Sequence, residues 1–183
     1  MASRPHKNEI AAPSPWVVRF APLITGNVLD IACGAGRHTR YFLSRGHRVS
    51  AVDRDVSRMA DLHGVAALEL HETDLEDGAG RLPNGQFGGV IVTNYLWRPL
   101  LPAIVAAVGE AGVLLYETFA DGNATYGKPS NPDFLLQPGE LLDAVRRQLH
   151  VIAYENGMTN DPHPAIIQRI CAVRRKVADT PLD

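Results

Sequence analysis

Cysteine is scarce in this chain: Cys33 and Cys171 are the only two, they lie far apart and they form no CxxC pair. Neither a thiolate zinc site nor a disulfide framework is therefore expected, and a reducing compartment fits. Long apolar runs are missing as well. None approaches the roughly 20 residues that span a bilayer, and the start, MASRPHKNEI, lacks a signal peptide's apolar core. The expectation is a cytoplasmic protein with no membrane partner. Neither sign of charge dominates, since the formal net charge is −2. That balance offers no general attraction for polyphosphate, so no nucleic-acid partner is expected without a local basic patch. The one candidate, Arg174-Arg175-Lys176, follows the last apolar run and reads as a solvated strand end. Internal repeats and low-complexity segments are absent.

What is present suits one soluble globular domain over 1–183, because 183 residues with 45% hydrophobic and 21% charged side chains supply a substantial core without forcing a split. Residues 1–13 read as a frayed start. Ser14 then Pro15 give an N-cap and first-turn signal ahead of Trp16, Phe20 and Leu23 at helical spacing. NVLDIAC is a β-branched apolar run that stops at glycines, and RHTRYFLSR follows as a helix ending at Gly46. The alternation continues with RVSAVD as strand two, a helix from about Val56 to Ala66, and ALELHETD as strand three. Residues 78–87 form a loop, and GGVIVTN is a uniformly apolar, hence central, fourth strand. Pro99 starts a helix that Gly109 closes, and VLLYETF is strand five. The Gly, Asn, Pro and Asp content of 120–137 forbids regular structure, and loops of that length are usually functional or disordered. A helix restarts at Pro138. HVIAYE and AIIQRICAVRR are two last strands, antiparallel because NGMTNDPHP between them is short. Strands alternating with helices imply parallel pairing and an α/β fold with a doubly wound, Rossmann-like sheet.

The most informative stretch is Val28-Leu29-Asp30-Ile31-Ala32-Cys33-Gly34-Ala35-Gly36-Arg37, a strand running into a glycine turn and a helix. Such turns bring backbone N–H groups against a ligand, and a dinucleotide site shares the Gly-x-Gly spacing. Two residues separate the possibilities. The dinucleotide fingerprint places a third small residue where this chain has Thr39. Asp30, just before the turn, would repel a pyrophosphate but favour a ligand carrying an ammonium and a sulfonium, as S-adenosylmethionine does.

The segment Asp30-x-Ala32-x-Gly34-x-Gly36 resembles the first motif of the class I S-adenosylmethionine-dependent methyltransferases, acidic-x-Gly-x-Gly-x-Gly, departing from it at Ala32. The likeness extends over about residues 25–175. It implies a seven-stranded, mostly parallel sheet with a C-terminal antiparallel strand. It also implies that S-adenosylmethionine is the cofactor, that Asp53 accepts hydrogen bonds from the ribose hydroxyls, and that Asp74 and Leu75 meet the adenine edge. Asn94 and Tyr95 then lie beside the methionine and the methyl-transfer region, and Arg54 is a candidate to stack on adenine. With Gly36-Arg37-His38 after the turn, the chain is similar to the small tellurite-resistance-type branch, which implies a small-molecule acceptor and brings Arg37 to the cofactor. Asn94-Tyr95-Leu96-Trp97 lacks the paired prolines of enzymes that methylate exocyclic amines of bases or amide nitrogens.

These implications give a methyltransferase acting by direct in-line displacement, monomeric or homodimeric, with no metal and no covalent intermediate required. Tyr95, Tyr126 and His163 are the candidate catalytic side chains. The 120–137 segment, with Asn123, Tyr126, Asn131 and Phe134, is expected to cover the acceptor pocket. His163 is expected to reach it from the turn between the last two strands, and an imidazole suits a general base at neutral pH. Two rivals remain: a non-catalytic S-adenosylmethionine-binding sensor or partner subunit, and a nucleotide-dependent oxidoreductase. Cys33 reads as a small core residue.

Overall fold

The computed structural model describes residues 10–78 and 81–174. Most of the expected frayed start (1–9), the loop positions 79–80 and the Arg175-Lys176 part of the basic cluster lie outside them. Seven strands form one sheet: β1 (Val28–Ile31), β2 (Val49–Asp53), β3 (Leu68–Glu72), β4 (Phe87–Thr93), β5 (Val108–Phe119), β6 (His150–Thr159) and β7 (Ala165–Val173). Their order is β3-β2-β1-β4-β5-β7-β6. The first five are parallel, and β7 runs antiparallel to both β5 and β6. The apolar β4 is central, as its composition implies.

Strict alternation along the inner strands divides the core in two. Leu29, Ile31, Val90, Val92, Leu114 and Tyr116 face one side, where α3 (Leu101–Ala107) contributes Ile104 and α4 (Glu140–Val145) contributes Leu141. Val28, Ile91, Val113, Leu115 and Cys171 face the other, under Trp16 and Phe20 of α1 (Pro15–Phe20) and Phe42 of α2 (Arg37–Ser44). Helices on both faces of a parallel sheet make the doubly wound arrangement. Ser14 caps α1 by accepting the Trp16 amide at 3.2 Å, with Pro15 at the first helical position.

Several elements differ from the reading of the sequence, each for a local reason. The stretch expected as a helix from Val56 to Ala66 is a pair of 3₁₀ turns over Ser57–Leu62, broken at Met59. Asp55 accepts the Ser57 amide at 2.9 Å, a local bond that competes with helix propagation. Gly109 does not close α3. β5 already starts at Val108, irregularly paired with β4 between Phe87 and Gly89, and the end of α3 is met instead by Arg174. Arg174 is not a solvated strand end, because its guanidinium donates to Val105 O and Val108 O, both at 2.8 Å. β6 runs on to Thr159, so the β6–β7 turn shrinks to 160–164. The 120–137 segment carries two short 3₁₀ turns, Asn123–Thr125 and Pro132–Phe134.

Asp30 and His38 show how the β1–α2 junction is sealed. Asp30 is 1% exposed and accepts the Thr39 hydroxyl at 2.6 Å. Burial raises its pKa from 3.8 to about 6, against the lowering effects of Thr39 and Arg37. His38 is equally buried and accepts the Ser14 amide on Nε2 at 3.1 Å, while burial and then Arg37 lower its pKa to about 3. It therefore stays neutral at physiological pH.

Two predictions follow from this packing. A Cβ on Gly88 would lie 1.6 Å from Thr25 O, whereas Gly157 has open space and no positive φ. Gly88→Ala should lose about 3 kcal/mol in urea titration and Gly157→Ala less than about 0.5 kcal/mol; equal losses would contradict the packing. For Asp30, the raised acid pKa means that the native state binds more protons than the unfolded chain between about pH 4 and 6. Its ionisation therefore costs stability as pH rises through that window, by about 3 kcal/mol once complete. Asp30→Asn removes this dependence, so the variant's stability relative to wild type should improve by roughly that amount from pH 4 to pH 8. A pH-independent difference would show that Asp30 titrates normally.

Candidate functional site

The glycine turn after β1 is built from left-handed residues: Ala32 at φ 53°, Gly34 at 57° and Gly36 at 75°. Ala32 adopts this geometry although it is not glycine. At Gly36 a Cβ would sit 2.4 Å from Sδ of the buried Met59, so that side chain would have to shift to admit one. Most of the turn's amides are committed internally. Cys33 N–H donates to Val52 O at 3.2 Å, Gly36 N–H to Cys33 O at 2.8 Å, and Gly34 N–H to Asp53 Oδ2 at 2.8 Å. The other Asp53 oxygen accepts the Asp55 amide at 3.1 Å. The expected presentation of these N–H groups to a ligand is thus replaced by presentation of a carboxylate. Cys33 is buried, and burial with the Asp30 and Asp53 charges pushes its thiol pKa up, which leaves a packing role.

A cleft of about 320 Å³ opens where β1, β2 and β3 end, and its walls include Ala32, Asp53, Arg54, Asp74, Leu75 and Tyr95. With Phe134, seven of the residues singled out in the sequence therefore converge here. Three carboxylates, those of Asp53, Asp74 and Glu76, share its walls with one guanidinium, that of Arg54. Tyr95 Oη is shielded from solvent on the same wall as the Glu76 carboxylate, and makes no hydrogen bond of good geometry among the described residues. Burial and the Glu76 and Asp74 carboxylates hold its pKa well above the usual phenol range, so it stays protonated and keeps a hydrogen to donate. Asp30, Gly34 and Gly36, expected at the cofactor, line neither this cleft nor the larger cavity.

The larger cavity, about 470 Å³, lies past the ends of β4, β5 and β6 and brings together Arg37, Asn94, Glu117, Tyr126, His163 and Arg169. β6 runs in the same direction as β5, so its following turn reaches the carboxyl edge and carries His163 there. Arg37 is half-buried and, among the described residues, donates a long bond to Thr93 Oγ1 at 3.3 Å and forms no ion pair with a carboxylate. Glu117 is committed, accepting from Ser14 Oγ at 2.8 Å and from Arg169 at 3.3 Å, and Arg169 also pairs with Glu155. Sequence reasoning missed Ser14, Glu117, Phe119 and Arg169 as wall residues. A charged residue at the carboxyl end of an apolar strand, as in VLLYETF, is the signal that marks Glu117.

A third hollow, about 290 Å³, joins the two, sharing Glu76, Tyr95 and Phe134 with the cleft and Asn94 and Phe119 with the cavity. The 120–137 segment walls all three hollows. Asn123 is buried and spends its amide on Pro129 O and the Ile166 amide, both at 3.0 Å, and Asn131 caps its own turn. The segment's aromatics divide, with Tyr126 on the large cavity and Phe134 on the cleft and the joining hollow. Among the described residues, no group of three or more His, Cys, Asp or Glu is placed to hold a metal ion, and no helix is long and apolar enough to cross a membrane.

No protein-family model matches the sequence, and no curated protein matches it. Solved structures do. TehB from Haemophilus influenzae superposes with a TM-score of 0.67 at 19% identity over 87% of this chain and 61% of its own, so the chain spans less than two thirds of that protein's length. The 1,6-didemethyltoxoflavin-N1-methyltransferase of Burkholderia thailandensis, solved with 1,6-didemethyltoxoflavin and S-adenosylhomocysteine bound, gives 0.65 at 18% identity over 88% and 76%. A TehB-like methyltransferase from Corynebacterium glutamicum gives 0.63 at 17% identity over 87% of each chain. Strand order, the two antiparallel C-terminal pairings and these superpositions agree that the chain has the Rossmann-like fold of the S-adenosylmethionine-dependent methyltransferases.

Proposed function

We propose that the chain is an S-adenosylmethionine-dependent methyltransferase for a small-molecule acceptor. The observation that carries this reading is the run of three joined hollows along the carboxyl edge of the sheet, with a carboxylate-walled cleft at one end and a cavity of small-molecule size at the other. Asp53, Asp74 and Glu76 accept hydrogen bonds from hydroxyl and amino groups and disfavour a pyrophosphate, and the committed glycine-turn amides leave little to bind one. This weighs against the nucleotide-dependent oxidoreductase. Asp53 and Asp74 would hold the nucleoside and Arg37 the methionine carboxylate, with Asn94 between them.

S-adenosylmethionine, when bound, supplies a methyl group on a sulfonium for in-line displacement by an acceptor nucleophile. The chain's own part is mainly positioning, which can remove about 7 to 11 kcal/mol of a barrier in favourable cases. Asn94, with its backbone at φ 56° and its amide fixed by Glu117 O at 2.9 Å, sits on both the joining hollow and the acceptor cavity. Tyr95, held protonated, donates a hydrogen bond and takes no proton. Tyr126 Oη is turned to Met158 Sδ at 3.4 Å and offers its ring as wall. His163, exposed at the cavity rim, is left to accept a proton from the acceptor.

S-adenosylhomocysteine should raise the melting temperature and NAD should not; at a hundred times its dissociation constant a ligand adds about 2.7 kcal/mol of stability. Stabilisation by NAD alone would sink the proposal. Asp53→Asn, which keeps an oxygen for the Gly34 amide, should weaken S-adenosylhomocysteine about tenfold by calorimetry, and Asp53→Ala up to about a hundredfold. Dissociation constants equal to wild type would remove Asp53 from the site. With an acceptor in hand, His163→Gln should lower turnover at saturation and abolish the acidic limb of its pH profile. Unchanged turnover with the same limb would take His163 out of the mechanism.

A further inference from the structure

Among the exposed large apolar side chains of the described residues, Phe134, 44% exposed, is the one that walls the nucleoside cleft. Leaving an aromatic ring in water is unfavourable, and here the chain holds the ring's backbone in place from both sides. Arg98 donates to Asp133 O at 2.6 Å and to Leu135 O at 2.8 Å, bracketing Phe134. The same guanidinium is gripped by Glu140, Nε to Oε1 at 2.7 Å and Nη2 to Oε2 at 3.0 Å. Glu140 in turn accepts the Gln137 amide at 2.8 Å, and Asn131 Oδ1 accepts the Asp133 amide at 3.1 Å. Leu135 and Leu136, next in the chain, are 2% and 0% exposed. A fixed backbone thus carries an uncovered flat ring, facing a cleft whose other walls include Arg54, Leu75 and Tyr95.

We infer that Phe134 is a base-stacking residue of the nucleoside cleft and that Arg98, clamped by Glu140, is its positioning residue. Phe134 thereby leaves the acceptor lid to which the sequence assigned it. Every base has a π-face, and stacking on an aromatic side chain is favourable without hydrogen-bond readout, so this contact supplies affinity while the carboxylates supply orientation. The inference rests on the methyltransferase reading only in taking an adenine nucleoside as the occupant.

The test is calorimetric titration of S-adenosylhomocysteine and of 5′-methylthioadenosine, which lacks the amino-acid arm, into folded wild type, Phe134→Ala, Phe134→Trp, Arg98→Lys and the Phe134→Ala/Arg98→Lys double variant. Phe134→Ala should weaken both ligands by the same factor, roughly tenfold, and Phe134→Trp should restore both. Arg98→Lys keeps the charge but loses the fork; it should weaken both ligands alone and add nothing in the double variant, which a merely structural contribution would not do. Unchanged affinity in Phe134→Ala, or an Arg98 effect that persists without the ring, overturns the inference and leaves the methyltransferase reading standing. Wild-type protein that binds neither ligand overturns both. Should Arg98→Lys fail to fold, the two Phe134 variants still decide the stacking claim.

Discussion

The Asp53 carboxylate is the constraint around which the cleft at the ends of β1, β2 and β3 is organised. One oxygen holds the Gly34 amide, the other holds the Asp55 amide, and the group still faces the cleft from the end of β2. The turn after β1 and the turn after β2 are therefore tied through a single side chain. A carboxylate oxygen has more than one acceptor direction, so serving the backbone does not exhaust it. That is how one residue shapes the turn and also offers acceptors to a ligand. Beneath it, Asp30 and Thr39 seal the junction in apolar surroundings, at the energetic cost that the raised Asp30 pKa expresses.

The larger cavity is fixed by a different network. Ser14 links α1 to β5 by donating to Glu117, and to α2 by donating its amide to His38. Arg169 on β7 draws Glu117 and Glu155 together and lies 4.7 Å above the Trp16 ring. Ionic groups that face one another in this way satisfy the wall and take little further part in recognition. Arg37 is the half-buried exception, a guanidinium on the cavity without a carboxylate partner among the described residues, and an anionic group of a ligand would complete it.

Much of the fold was legible in the sequence because β-strand alternation and glycine punctuation are strong local signals. The β1 and β4 runs, the Ser14-Pro15 start and the antiparallel last pair all come from residue pattern alone. Boundaries failed where a tertiary partner or a local side-chain bond decided them. Met59 packs against Gly36 and its segment stays in 3₁₀ turns, and Arg174 takes over the end of α3 from a distant strand. In the site, strand-end residues such as Asp53, Asp74 and Asn94 were legible because a parallel sheet gathers strand ends on one edge. Glu117 carried the same strand-end signal without being read from it, and Arg169 was not legible, since its placement depends on which strands neighbour β5.

The glycine turn shows why motif spacing alone cannot name a ligand. Strand, glycine turn and helix are shared with anion-binding sites, where free amides at a helix N-terminus do the work. Here the amides of Cys33, Gly34 and Gly36 are spent within the chain, and the charge that reaches the cleft is negative. Reversing the polarity of the turn needs no change in backbone path. It needs an acidic side chain at the end of β2 close enough to take the Gly34 amide, and a buried Asp30 whose own charge adds to the negative potential when ionised. A ligand with hydroxyl groups and a cationic centre suits that potential, and one with a pyrophosphate does not.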